Sequence, residues 1–200
     1  MKNVIFDLGG ILIRFHPKEE IQKLNLSKDV SEILYQSIFC DGLWEDMDKG
    51  IYSGISETLP IYLERYPELK DEILMFFHEG WEDMFELLKG GYSFLQEVRQ
   101  LGCHCYVLSN YPREMFSYTE NRYSNVFDQF DGMIISGRIK IAKPDQKIFQ
   151  YLIDTYHLNK QDCIFFDDTL KNVEASNQFG ILAYQYQDPI QAMNDLKKML

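Results

Sequence analysis

The sequence predicts an α/β protein, a parallel Rossmann-like sheet flanked by helices and interrupted near its start by an all-helical insertion. Three observations lead there. From residue 90 onward, short apolar runs alternate with amphipathic segments of helical length, the pattern of strands joined by right-handed helical crossovers. Residues 17–89 carry helical periodicity and no alternation that signals a strand. The charge divides in the same way: residues 15–90 hold 17 Asp and Glu against 7 Lys and Arg, while the remainder is nearly neutral. The expected organisation is a core of residues 1–14 and 90–200 with a helical unit at 15–89.

Each element has its own signal. Asn3-Val-Ile-Phe-Asp-Leu8 is a short apolar run halted by Gly9-Gly10, which reads as a buried strand that stops sharply, with Ile11-Leu12-Ile13 as a tight turn or flap beyond it. Pro17 ahead of Glu19 and Glu20 suits a helix start, and Ser27 opens a second helix with Val30, Ile33, Leu34 and Ile38 on its apolar face. Gly42, Gly50 and Gly54 break the middle; Ser56 is expected to cap a third helix and Pro67 to open a fourth. After Gly90-Gly91, a helix over 92–101 ends at Gly102 and a strand occupies 104–109. Then come a helix over 113–121, a short strand at 133–135, a helix over about 145–156 and a strand from Asp162 to Phe166. A helix over 170–179 stops at Gly180, a strand follows at 181–184, and the last helix begins near Pro189.

Composition narrows the function classes. A net charge of −11 argues against a nucleic-acid partner, whose phosphates call for a basic face. No uncharged stretch approaches the roughly 20 residues that span a bilayer, and Asp7 inside the first apolar run argues against a signal peptide. Cys103-His104-Cys105 lacks a second ligand pair at zinc-site spacing, so both thiols read as small apolar residues of a buried strand. With Cys40 and Cys163 they point to a reducing compartment, and the cytoplasm is the expected location.

Polar residues gather where apolar strands end. Asp7 closes the first strand, Ser109-Asn110 another, Lys143-Pro144-Asp145 precedes a helix, and Asp167-Asp168 closes the strongly apolar Ile164-Phe165-Phe166. In parallel sheets ligands sit outside the carboxyl ends of the strands, and two adjacent acids there repel unless a cation binds. Each cluster alone is a turn, a cap or a surface charge. In this order they resemble the four motifs of the haloacid dehalogenase superfamily along essentially the whole chain, with the helical segment where that superfamily inserts a helical cap of its first type. Asp-Leu-Gly-Gly, Phe-Phe-Asp-Asp and Asp168-Thr-Leu-Lys-Asn-Val-Glu-Ala175 are similar to a bacterial branch that includes α-D-glucose-1-phosphate phosphatase.

The resemblance implies a Mg²⁺-dependent phosphatase acting on a small phosphomonoester, as monomer or homodimer. Asp7 is implied as nucleophile; Asp7, the Gly9 carbonyl and Asp168 as metal ligands, with Asp167 bound through water or orienting the others; Ser109, the Asn110 amide and Lys143 as the groups that hold the phosphoryl oxygens. The physics agrees, since a carboxylate can approach a phosphate dianion only when cations neutralise both. Gly9 departs from the pattern, because most phosphatases of the superfamily carry a second Asp there as acid and base. An anomeric or acyl leaving group depends less on such an acid, which favours sugar-1-phosphates or acyl phosphates. His16 could carry the missing proton but reads better as a hinge or surface residue, and Trp44, beside Glu45 and Asp46, reads as packing ahead of a sugar platform. The rival expectations are a binding or regulatory protein that keeps the fold without catalysis, favoured by Gly9, and a metal-independent 2-haloacid dehalogenase, disfavoured by Asp167-Asp168.

Overall fold

The computed structural model describes residues 2–199. Five strands, β1 (Asn3–Phe6), β4 (His104–Ser109), β5 (Gly132–Ile135), β6 (Cys163–Asp167) and β7 (Leu182–Gln185), form one parallel sheet in the order β5-β4-β1-β6-β7. β1 is central, and Phe6 stands in register with Val107 of β4 and Phe166 of β6. The chain runs from β1 to β4 and β5 on one side and then crosses to β6 and β7 on the other, so the strand ends around β1 form the switch point at which such folds bind ligands.

Period-two alternation divides the core. Val4, Phe6, Val107, Ile164 and Phe166 face one side, against α6 (Lys89–Gln100) through Phe94, Leu95 and Val98 and α12 (Pro189–Lys197) through Ala192, Met193 and Leu196. Ile5, Tyr106, Leu108 and Phe165 face the other, against α10 (Gln146–Tyr156) through Ile148, Phe149 and Leu152 and α11 (Leu170–Phe179) through Val173 and Ala175. Cys103, Cys105 and Cys163 are buried free thiols, and burial pushes the Cys105 thiol up to about 12. No helix among the described residues is long and apolar enough to cross a membrane.

Helices α1 (Pro17–Lys23), α2 (Lys28–Phe39), α3 (Leu43–Asp48), α4 (Ile55–Arg65) and α5 (Lys70–Glu79) make up the insertion. It is not all-helical as expected: β3 (Phe85–Leu87) pairs antiparallel with β2 (Ile13–Phe15), and this two-stranded ribbon joins insertion to core. Three residues of strand are too short for alternation to register in the sequence. The glycine pair expected to precede α6 lies inside its first turn, where a Cβ on Gly91 would overlap the Ile11 carbonyl, so the close approach of helix and flap explains that glycine. Ser27 caps α2 by accepting a hydrogen bond from Val30 N, whereas α4 begins from Gly54 and Ser56 bonds Glu114 instead. Pro67 opens a single 3₁₀ turn (Pro67–Leu69) ahead of α5. Ile33 is exposed, whereas Leu34 and Ile38 of that helix are buried and Val30 packs against the same core. The short helices α7 (Arg113–Arg122), α8 (Ser124–Phe127) and α9 (Ser136–Ile139) complete the chain.

Candidate active site

The site is built where the central strands stop. Asp7 follows the last residue of β1, its N–H donating to the Phe166 carbonyl at 2.9 Å, so its side chain leaves the sheet in a fixed direction. Oδ1 accepts from Leu8 N at 2.7 Å and lies 2.9 Å from Lys143 Nζ. The ammonium is buried and donates also to Asp167 Oδ2 at 2.6 Å. Asp167 ends β6 fully buried, its carboxylate accepting from Thr169 N and from Asn172 Nδ2 as well. Asp167 therefore holds the Lys143 ammonium in place.

Carboxylate oxygens of Asp7, Asp167 and Asp168 lie within 4.8 Å of one another. Three carboxylates against one ammonium leave two negative charges in a largely buried cluster, a cost that a divalent cation removes. Burial raises the Asp7 carboxyl to about 7, with Lys143 opposing the shift and the negative charge of Asp167 adding to it. Burial and the adjacent Asp167 likewise raise Asp168. Burial opposes the Lys143 charge, but Asp7 and Asp167 outweigh it and hold this ammonium above its ordinary range. Gly10 has φ +67°, and a Cβ there would overlap the Asp168 carboxylate, so the turn after β1 needs glycine both for its backbone and for the acid beside it. No hydrogen bond to the Gly9 carbonyl is found among the described residues, which leaves an oxygen at the cavity wall. All-oxygen donors of this kind suit Mg²⁺ better than zinc.

Ser109, the last residue of β4, is buried, and its hydroxyl has no hydrogen-bond partner among the described residues. A buried hydroxyl without a partner costs about 1–3 kcal/mol, a cost that a ligand oxygen would relieve. Asn110 departs from the sequence expectation. Its side chain is committed to the backbone of Lys143, donating to the carbonyl at 2.9 Å and accepting from the N–H at 2.8 Å. This pair of bonds fixes the lysine loop and leaves the backbone N–H and the second Nδ2 hydrogen of Asn110 for a ligand.

These residues open into a cavity of about 690 Å³ lined by Asp7, Gly9, Asn110, Lys143 and Asp168 from the core and by Trp44, Glu45 and Asp48 from α3. Trp44 both packs, against Phe39 at 4.6 Å and Phe15 at 5.5 Å between ring centroids, and lines the cavity. His16 lies outside it, beside the ribbon, with Nδ1 3.2 Å from Glu20 and Nε2 3.8 Å from Glu86. Asp48 escaped the sequence reading. Its signal was available, since it follows Trp44 by four residues on one helical face.

A strand-end carboxylate thus opens onto the cavity beside a buried lysine, an arrangement that suits a hydrolase. Residues 1–180 match the haloacid dehalogenase-like hydrolase family, and the chain belongs to it. It is 24% identical to a sesquiterpene phosphatase of Aspergillus oryzae, over all of this chain and 96% of that protein. It is 24% identical to a D-ribitol-5-phosphate phosphatase of Bacteroides thetaiotaomicron, over 92% and 91%. A haloacid dehalogenase family enzyme of Bacteroides thetaiotaomicron, solved with magnesium and inorganic phosphate, superposes with a TM-score of 0.72 at 21% identity over 94% of each chain.

Proposed function

We propose that this protein hydrolyses a small phosphomonoester through a phospho-aspartyl intermediate on Asp7, with Mg²⁺ as cofactor. The observation that carries the reading is the Asp7 carboxylate 2.9 Å from a buried lysine and clustered with Asp168. Asp7 attacks phosphorus and the ester P–O bond breaks; water then attacks the aspartyl phosphate, and the bond between phosphorus and the Asp7 oxygen breaks to release phosphate. Lys143 offsets charge on the nucleophile and on the transferring oxygens, and the Ser109 hydroxyl and Asn110 N–H orient them. A divalent ion held by Asp7, Asp168 and the Gly9 carbonyl supplies the remaining neutralisation.

Residues 15–89 act as a cap over a core of 1–14 and 90–200, and cap closure excludes water. The phosphatases among its relatives support this chemistry. Trp44 and Phe15 with Arg14 and Glu45 give the cavity aromatic and polar walls that suit a sugar phosphate, glucose-1-phosphate among them. Three buried free thiols fit a reducing, cytoplasmic setting. Gly9 favours one rival, a protein that binds a phosphate ester without turning it over.

Phosphate release from sugar, nucleotide and acyl phosphates, with Mg²⁺ or EDTA, tests both. Mg²⁺-dependent release together with a trapped phospho-enzyme is expected. Binding without release across the panel supports the rival, and full activity in Asp7→Asn overturns the nucleophile.

A further inference from the structure

A phosphoryl transfer to Asp7 leaves an alkoxide unless a proton reaches the departing oxygen. Gly9 has no side chain to bring it. Sterics do not explain that glycine, because the nearest atom to a Cβ built on it is Asp7 Oδ2 at 4.0 Å. An acid is therefore to be sought elsewhere in the cavity wall. Asp168 and Asp167 are committed to the oxygen cluster and to Lys143, and Glu45 is exposed and paired with Lys49 at 2.7 Å.

Asp48 differs from all of these. It ends α3 and lines the same cavity as Asp7, Gly9 and Lys143. Among the described residues, no hydrogen bond or ion pair engages its carboxylate. Its backbone, by contrast, is tied to the core. The Ser136 hydroxyl donates to the Asp48 carbonyl and itself accepts from Tyr111 N at 2.9 Å. Gly50, two residues on, packs so closely on Gly137 that a Cβ would stand 3.1 Å from its carbonyl oxygen. Glu114 of α7 secures the same seam by donating its N–H to the Ser53 carbonyl at 2.9 Å and accepting from the Ser56 N–H and hydroxyl. The main chain is fixed and the carboxyl is left free to face a ligand.

We infer that Asp48 is the catalytic acid and base of this site, delivered from the insertion in place of a side chain at residue 9. The assignment rests on the phosphatase reading above. In the first step the Asp7 oxygen bonds phosphorus, the ester P–O bond breaks with its electron pair on the leaving oxygen, and protonated Asp48 donates its proton to give the free alcohol. In the second, the Asp48 carboxylate takes a proton from water as the water oxygen bonds phosphorus, the bond between phosphorus and the Asp7 oxygen breaks with its electron pair on that oxygen, and inorganic phosphate leaves. Burial raises the Asp48 carboxyl to about 7, with Glu45 and Asp7 adding to the shift and Lys143 and Lys49 opposing it, so both forms are accessible at neutral pH. Lys171, Asp168 and Arg14 are the other charged groups of the cavity wall.

The test compares kcat/KM for an alkyl phosphate and for p-nitrophenyl phosphate, whose leaving group needs no proton, in wild type, Asp48→Asn and Gly9→Asp/Asp48→Asn with Mg²⁺. kcat/KM stops at the first irreversible step, so it isolates the departure of the leaving group. Asp48→Asn is expected to slow the alkyl ester about 10²–10³-fold and the aryl ester no more than about fivefold. It should also abolish the wild-type decline in alkyl-ester kcat/KM above about pH 7 and accumulate phospho-enzyme visible by intact mass. Gly9→Asp in the same chain should restore part of the alkyl rate, which a misfolded variant would not allow. Equal losses on both esters, or a retained pH limb, overturn the assignment while leaving the phosphatase standing. Absence of Asp7-dependent cleavage in wild type removes the phosphatase reading and Asp48 with it.

Discussion

Asp7 of the core and Asp48 of the helical insertion both line the cavity, and burial raises both carboxyls to about 7. Their surroundings are otherwise opposite. Asp7 rises from the end of a central strand, fixed by a sheet hydrogen bond on one side and by Lys143 at 2.9 Å on the other. Asp48 ends a six-residue helix, has no cation within ion-pair distance among the described residues, and is held only through its backbone. A carboxylate beside a lysine and an acidic cluster becomes fully anionic once a divalent ion joins it, which is what a nucleophile needs. A carboxyl without such partners keeps its proton to neutral pH, which is what proton delivery needs. The difference teaches that partners, more than burial, assign the task.

The largest effect should come from the core side of this contrast. Asp7→Asn is expected to lower kcat about 10⁵-fold and to prevent phospho-enzyme formation, measured by phosphate release and intact mass; a smaller loss than that of Asp48→Asn would reverse the two roles. Lys143→Met strips the cation from Asp7 and Asp167 together. It should cost about 10³-fold in kcat and, by stranding two buried carboxylates, about 3–5 kcal/mol in urea unfolding at pH 7. The stability loss should shrink as Mg²⁺ is added. Trp44→Ala opens the insertion's side of the cavity. A loss of about 3 kcal/mol in stability is expected, with KM rising more than kcat falls and the pH limb of Asp48 unmoved; a change in that limb would mean that Trp44 sets the environment of Asp48.

The smallest effect belongs to an acid remote from the cavity. Burial would raise Asp131, but hydrogen bonds from Cys105 N and His104 and the charge of Arg99 outweigh it and hold its carboxyl below the ordinary range. A depressed carboxyl contributes stability that is present above the unfolded-state value near 3.8 and lost as pH falls through the lower folded value. Asp131→Asn should therefore cost about 1 kcal/mol at pH 7, a deficit that narrows only as pH drops below the ordinary carboxylate range. Turnover at pH 7 should be unchanged, which makes this variant the control for both cavity acids.

Much of this arrangement can be read from residue order. Asp7, Ser109, Lys143 and Asp168 each have an ordinary structural explanation alone, and it is their order along the chain that makes them legible, while helix stops such as Gly180 mark boundaries closely. Weaker local signals misled. The Phe85–Leu87 strand is defined by its partner across 70 residues of chain, not by its own pattern. Ser56 has the chemistry of a helix cap but serves Glu114, and Asn110 has the chemistry of a phosphate donor but holds the Lys143 loop. In both cases a short polar side chain has several local uses, and only packing selects one.

By itself the sequence determined the sheet, its helical interruption and the set of oxygen donors at its strand ends, because hydrophobic period and the cost of burying charge are local properties of the chain. Tertiary structure alone decided which acids share a lysine, which amide is spent on a loop, and that a carboxyl from α3 stands in the same cavity as Asp7. Those choices depend on contacts between segments far apart in the chain, where distance and competition for partners, rather than residue type, set the energy.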